Sequence, residues 1–191
     1  MSMSPAQIVR LVSELTCRDQ RAIASSRGEF TVAEPSSLET ALLDASRLLT
    51  SGGVPHALIG GFAVSVRTGW ARATRDVDFA VHSATARERL VAAFVAGGFR
   101  HDGSFEHSVN FSHPNGAPVQ LASDAIFDEP IERAELTLIG GQQVPVVRRE
   151  DLIALKERSA ADPRRRKSSA LQDQADIERL RGDVPGPDEG W

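Results

Sequence analysis

Two aspartates one residue apart, Asp76 and Asp78, carry the most definite chemistry in this sequence. The run Asp76-Val77-Asp78-Phe79-Ala80-Val81 reads as a strand, and strand residues two apart face the same side with Cα atoms roughly 6.5 to 7 Å apart. Adjacent carboxylates repel, and one takes up a proton unless a cation sits between them. Magnesium suits such a pair, because it prefers oxygen ligands, is held by one or two carboxylates and completes its shell with water and substrate phosphate. Upstream, the short apolar run Ala57-Leu58-Ile59 stops at Gly60-Gly61, and Phe62, Ala63, Val64 and Val66 follow in a helical pattern. The glycine pair therefore opens a helix, where backbone N–H groups lack intrahelical partners and the missing Cβ lets an anion approach. A phosphate cradle beside a metal cradle points to a nucleoside triphosphate carrying Mg2+.

Asp-x-Asp alone is a common pair whose bland reading is a solvated strand end. The full order of strand, Gly60-Gly61, helix, Arg72-x-Thr74-x-Asp76-x-Asp78 and strand is far more specific. On Gly60, Gly61, Arg72, Thr74, Asp76 and Asp78 the chain resembles the DNA polymerase beta nucleotidyltransferase superfamily, in particular its small bacterial members related to antibiotic-resistance and abortive-infection nucleotidyltransferases. The resemblance implies that Asp76 and Asp78 bind the metal carrying the triphosphate, and that the glycine turn, with Arg72 and Thr74, belongs to the nucleotide site.

The elements that must position these residues follow from pattern and punctuation. Apolar Ile8, Val9, Leu11, Val12 and Leu15 have helical spacing within residues 5–24, and the polar stretch 25–34 reads as a linker, so residues 1–34 form an N-terminal helix and arm. A second helix starts near Pro35-Ser36-Ser37 and ends at Ser51-Gly52-Gly53. After the central motif, residues 84–96 form an amphipathic helix, Glu106–Ser112 and Ala117–Ala122 a hairpin turning at His113-Pro114-Asn115-Gly116, and Glu135–Ile139 and Gln143–Val147 a second hairpin turning at Gly140-Gly141. Residues 35–148 are thus expected to be an α/β (α+β) core, a nucleotidyltransferase-like mixed β-sheet flanked by helices. Residues 149–182 make two C-terminal helices broken at Asp162-Pro163, and 183–191 a frayed tail.

That tail extends the resemblance. Asp151, Leu152, Ile153 and Lys156, a basic stretch, then Asp173, Asp176, Ile177 and Leu180 match a pattern common at the end of such enzymes, so the likeness spans about Val54 to Leu180. It implies a nucleotide contact for Lys156. By chemistry alone Lys156 is either a phosphate donor or a surface lysine, Asp173 and Asp176 pair with arginines or cap, and Arg164-Arg165-Arg166-Lys167 is a solvated loop first and a phosphate or RNA contact second.

Nucleotidyl transfer needs metal ions and oriented groups around the α-phosphate. The resemblance implies a third carboxylate from a later strand, in a pattern like Val-Asp-Leu, but this chain has Val119-Gln120-Leu121. Glutamine orients a hydroxyl but takes no proton. Asp124 is four residues on, roughly 13 Å along a strand, and is a poor substitute. With a four-residue turn, Ser112 pairs with Ala117 and His107 falls opposite Ala122 on the face of Gln120, where a neutral imidazole could stand in as base; a slip of one residue turns it away and leaves an exposed histidine without a role.

Composition bounds the rest. With a net charge of −4 and no tyrosine, the chain lacks both the basic footprint of a general nucleic-acid binder and the aromatic platforms of a single-strand binder. The single cysteine, Cys17, cannot make an internal disulfide. No long apolar run or signal-peptide pattern occurs, so a cytoplasmic protein without membrane contact is expected. Two functions remain open: a magnesium-dependent nucleotidyltransferase acting on a hydroxyl of a small molecule, protein or RNA, or a catalytically reduced member that binds nucleotide or a partner protein, as in a toxin–antitoxin or defence module.

Overall fold

The computed structural model describes residues 3–12 and 37–183. Residues 5–12 are helical (α1), followed among the described residues by α2 (Ser37–Ser51), β1 (His56–Leu58), α3 (Gly60–Thr68), β2 (Val77–Val81) and α4 (Arg87–Ala96). Next come β3 (Arg100–Phe105), β4 (Ser108–Ser112), β5 (Pro118–Ser123), a 3-10 turn at Ala125–Phe127 and the short α5 (Asp128–Glu132). The chain continues through β6 (Glu135–Ile139), β7 (Gln142–Val146), α6 (Arg149–Ala161) and α7 (Lys167–Arg181). The linker expected at 25–34 and the tail beyond 183 fall outside the described residues.

One seven-stranded mixed sheet, ordered β3-β4-β5-β2-β1-β7-β6, organises the molecule. Strands β1 and β2 are antiparallel across α3, while β2 runs parallel to β5 and β1 parallel to β7. Strands β5, β2 and β1 thus lie side by side at the centre of the sheet. The second hairpin has the expected turn: Ile139 pairs with Gln142 around Gly140 and Gly141, whose φ angles of 55° and 81° suit the two-residue turn that matches strand twist.

One sheet face is apolar. Val77 and Phe79 of β2, Val119 and Leu121 of β5, and Phe111 and Val109 of β4 are in mutual register and buried, and Val81 of β2 is buried with them. Phe94 of α4 stacks on Phe111 at 4.7 Å, and α2 lies alongside, with Leu48 tight against Gly97. Ile8, Val9 and Val12 of α1 are buried in this same core. The first helical turns are therefore part of the core built on the sheet.

The first hairpin differs from expectation. Ser112 pairs with Pro118, not Ala117, and the connection is closed by His113 N–H donating to Ala117 O at 2.8 Å. Strand β4 accordingly begins at Ser108, and Glu106-His107 form the turn after β3, an edge strand that its exposed, non-alternating sequence conceals. The reason is packing. The four-residue turn would have put Val109 and Phe111 on the polar face with Gln120; the observed register buries both against Val119 and Leu121.

Candidate active site

The side chains of Asp78, Gln120 and Asn110 share the opposite face of the sheet. Val77, Phe79 and Val81 anchor β2 in the core, which leaves Asp78 between them facing away, half-buried, with Asp76 at the strand's entrance. Burial, reinforced by the neighbouring charge of Asp76, raises the Asp78 carboxyl to about 7, against a partial counter-effect from Lys156, Arg72 and Arg165. The pair is short of positive charge. A cation between the two carboxylates would supply it.

Helix α3 starts directly beneath this carboxylate. Gly60 has φ +65°, and a Cβ built on it would fall 2.0 Å from Asp78 Oδ2. A Cβ on Gly61 would fall 2.7 Å from Thr74 Oγ1 and 3.0 Å from Arg72 Nη1. The glycines thus let the helix N-terminus meet the site's own side chains. Ile59 N–H donates to Asp78 O at 2.9 Å, locking the α3 entrance to β2. Thr74 is buried beside Asp76, with its Oγ1 3.4 Å from Asp76 Oδ1.

Gln120 lies in register with Asp78 on the adjacent parallel strand, and with Asn110 on its other side. The position expected of a third carboxylate is next to Asp78 and holds an amide. His107 is elsewhere: opposite Ala122 stands Ser108, and the imidazole sits in the β3–β4 turn, 61% exposed, with Nδ1 3.2 Å from Asp124 Oδ2. Asp124 also caps the 3-10 turn by accepting from Ile126 N–H at 3.0 Å. The one-residue shift that buries Phe111 removes His107 from the Gln120 face. Asn110 was missed for the same reason; the alternation of Val109 and Phe111 with Val119 and Leu121 was the signal that could have found it.

Arg72 and Lys156 are gathered by α7. Asp176, fully buried, accepts from Arg72 Nε and Nη2 at 2.7 and 2.9 Å and lies 2.8 Å from Lys156 Nζ. Asp173 takes the other side of Lys156 at 2.8 Å and also holds Arg165 Nε at 2.6 Å. Burial pushes the Asp176 carboxyl up, but the Arg72 hydrogen bonds and the charges of Lys156 and Arg72 outweigh it and leave it below the usual range. Arg72, which also donates from Nη1 to Ala73 O at 2.8 Å and from its backbone N–H to Ser65 Oγ at 3.3 Å, acts as a strut between the β2 entrance and α7. Lysine has three donors, so the two aspartate contacts leave one N–H for a ligand.

A cleft of about 610 Å³ opens between these elements. Ile59, Ile126, Phe127, Leu152 and Leu155 form its apolar side; its polar side carries Lys156, Arg158, Arg164 and Arg165, of which Arg164 pairs with Asp162, and Lys156 and Arg165 with Asp173. The 3-10 turn carrying Ile126 and Phe127 is a contributor that the linear pattern did not single out, while Arg164 and Arg165 bring the basic run, expected first as a solvated loop, to the cleft wall. Among the described residues no group of three or more His, Cys, Asp or Glu side chains could hold a metal, so the donors available are the Asp76 and Asp78 carboxylates and neutral oxygens such as that of Gln120. That set fits a magnesium ion, which shares its shell with water and substrate phosphate.

Residues 42–183 match the model of the family described as nucleotidyl transferase AbiEii toxin, type IV TA system. The chain belongs to this AbiEii family. Its fold is also that of solved nucleotidyltransferases. An antigenic nucleotidyltransferase-like protein from Paracoccidioides brasiliensis superposes with a TM-score of 0.56 at 22% identity over 81% of this chain and 80% of its own. The lincosamide antibiotic adenylyltransferase LnuA, solved with lincomycin, gives 0.54 at 16% identity over 76% of this chain and 98% of its own. ANT(2")-Ia, solved with adenylyl-2"-tobramycin, gives 0.54 at 16% identity over 77% and 89%. No curated protein sequence matches the chain significantly. Among the described residues no helix of this AbiEii-family protein is long and apolar enough to cross a membrane.

Proposed function

We propose that this AbiEii-family protein transfers a nucleoside monophosphate from a triphosphate to a hydroxyl acceptor, with Mg2+ held by Asp76 and Asp78. The observation that carries the reading is the Asp78 carboxylate set against Gly60 at the N-terminus of α3, with the charges of Asp76 and Lys156 acting on it. Gly60 and Gly61 present N–H groups to the phosphates, Lys156 adds its remaining donor, and the apolar side of the cleft receives the less polar part of the nucleotide. Magnesium, when bound, neutralises charge on the phosphates in transfer. The acceptor oxygen forms a bond to the α-phosphorus as the bond to the leaving pyrophosphate breaks. Thr74, beside the Asp76 carboxylate, and Arg72, which ties the entrance of β2 to Asp176 of α7, act as positioning residues. Gln120 cannot accept the acceptor's proton, which passes to solvent or to a phosphate oxygen.

A second reading rests on that same Gln120: a protein that binds nucleotide, and a partner protein within a toxin–antitoxin pair, without efficient transfer. Pyrophosphate release separates them. The protein is given each of the four nucleoside triphosphates with magnesium, alone and with small-molecule, protein and RNA hydroxyl pools. Transfer predicts magnesium-dependent release that Asp76→Asn abolishes. Tight triphosphate binding without release from any pool selects the second reading.

A further inference from the structure

We infer that Gln120 serves as a neutral oxygen ligand of the bound cation, and that Asn110 is the positioning residue that aims it. This inference rests on the metal-binding part of the proposed function. Asn110, Gln120 and Asp78 form one row across β4, β5 and β2, each in register with the next. Directly opposed residues have Cβ atoms about 4.5 to 5.5 Å apart, so Gln120 can reach either neighbour.

A glutamine amide has two unlike ends, a carbonyl that accepts and an NH2 that donates. Only the carbonyl can ligate a cation. Beside Asp78 alone the amide would turn the wrong way, because a carboxylate attracts the NH2 end. Asn110 supplies the opposing pull. Its Oδ1 is buried and has no hydrogen-bond partner in the structure, and an acceptor in that state is satisfied only by a donor. Rotation of the Gln120 side chain that gives an Nε2 hydrogen to Asn110 Oδ1 directs Oε1 towards Asp78. The third ligand position then carries an oxygen without a charge. An aspartate there would need no such partner, because both its oxygens accept.

The test is a titration of Mn2+ by electron paramagnetic resonance on the full chain with a non-hydrolysable triphosphate analogue, with thermal unfolding recorded for each variant. Asn110→Leu should weaken Mn2+ binding roughly ten-fold, as removal of a partner that orients a ligand does. Gln120→Leu should weaken it similarly, and the double variant should be no worse than either. In a Gln120→Glu background, where orientation no longer matters, Asn110→Leu should leave Mn2+ affinity unchanged. An equal loss in both backgrounds, or no loss in either, would overturn the role of Asn110. If Asp76→Asn/Asp78→Asn also binds Mn2+ like wild type, the metal site itself is misplaced and this inference falls with it.

Discussion

At Gly60 backbone conformation and site chemistry impose the same demand. Its φ of +65° already excludes most side chains, and the Asp78 carboxylate occupies the place of a Cβ. Gly60→Ala should therefore displace Asp78 and reduce magnesium-dependent triphosphate binding at least ten-fold while the chain still folds, which calorimetry and circular dichroism on the same sample would show. Asp78 itself makes a prediction in pH. Its folded pKa of about 7 lies above its ordinary value of 3.8, so between those values the folded protein holds more protons than the unfolded chain. Metal-free stability then falls as pH rises through this window and levels off above it. Asp78→Asn should accordingly raise metal-free stability at pH 8, with the gain shrinking as pH falls towards 4; no gain at pH 8 would contradict the assigned burial. At this scale the carboxylates and glycines were legible because their chemistry depends on local spacing. The Gln120–Asn110 pairing was not, because the turn residues suit one register and core packing imposes another.

The C-terminal helices act as a clamp. Asp173 and Asp176 of α7 bind Arg72, Lys156 and Arg165, while Arg149 of α6 donates to Leu180 O at 2.8 Å and Arg67 O at 2.6 Å, a cation placed at the carboxyl ends of α7 and α3. Removing one partner from a buried ion pair leaves the others uncompensated, so Asp176→Ala should cost about 3 to 5 kcal/mol in denaturant unfolding. The Asp176 carboxyl is held below its ordinary range. Its stabilisation is complete above the unfolded value and is lost as pH falls through the lower folded one, so the stability gap between wild type and Asp176→Asn should close below about pH 4. Lys156→Ala should weaken triphosphate binding about ten- to a hundred-fold, equivalent to roughly 1.5 to 3 kcal/mol, if its third donor meets phosphate. Helix α6, α7 and their break were readable from periodicity and Asp162-Pro163. The network was readable only as residue types, since contacts between positions 72 and 176 come from the packing of α3 against α7.

Across the whole molecule, the sheet brings residues 57–61, 76–80 and 119–121 to one centre, which explains how a short motif and a distant strand make one site. The mixed character of that sheet was legible from two hairpins and a strand–helix–strand unit. Strand β3 and the 3-10 turn were not, because an exposed edge strand needs no alternation and three residues show no period. The proposed function requires that metal and triphosphate bind together over Asp76 and Asp78. Calorimetric titration of a nucleoside triphosphate into the protein, with and without magnesium, tests it most directly. Strongly magnesium-dependent binding is expected in the wild type and should largely disappear in Asp76→Asn/Asp78→Asn; full affinity in that double variant, or affinity indifferent to magnesium, would rule the joint site out.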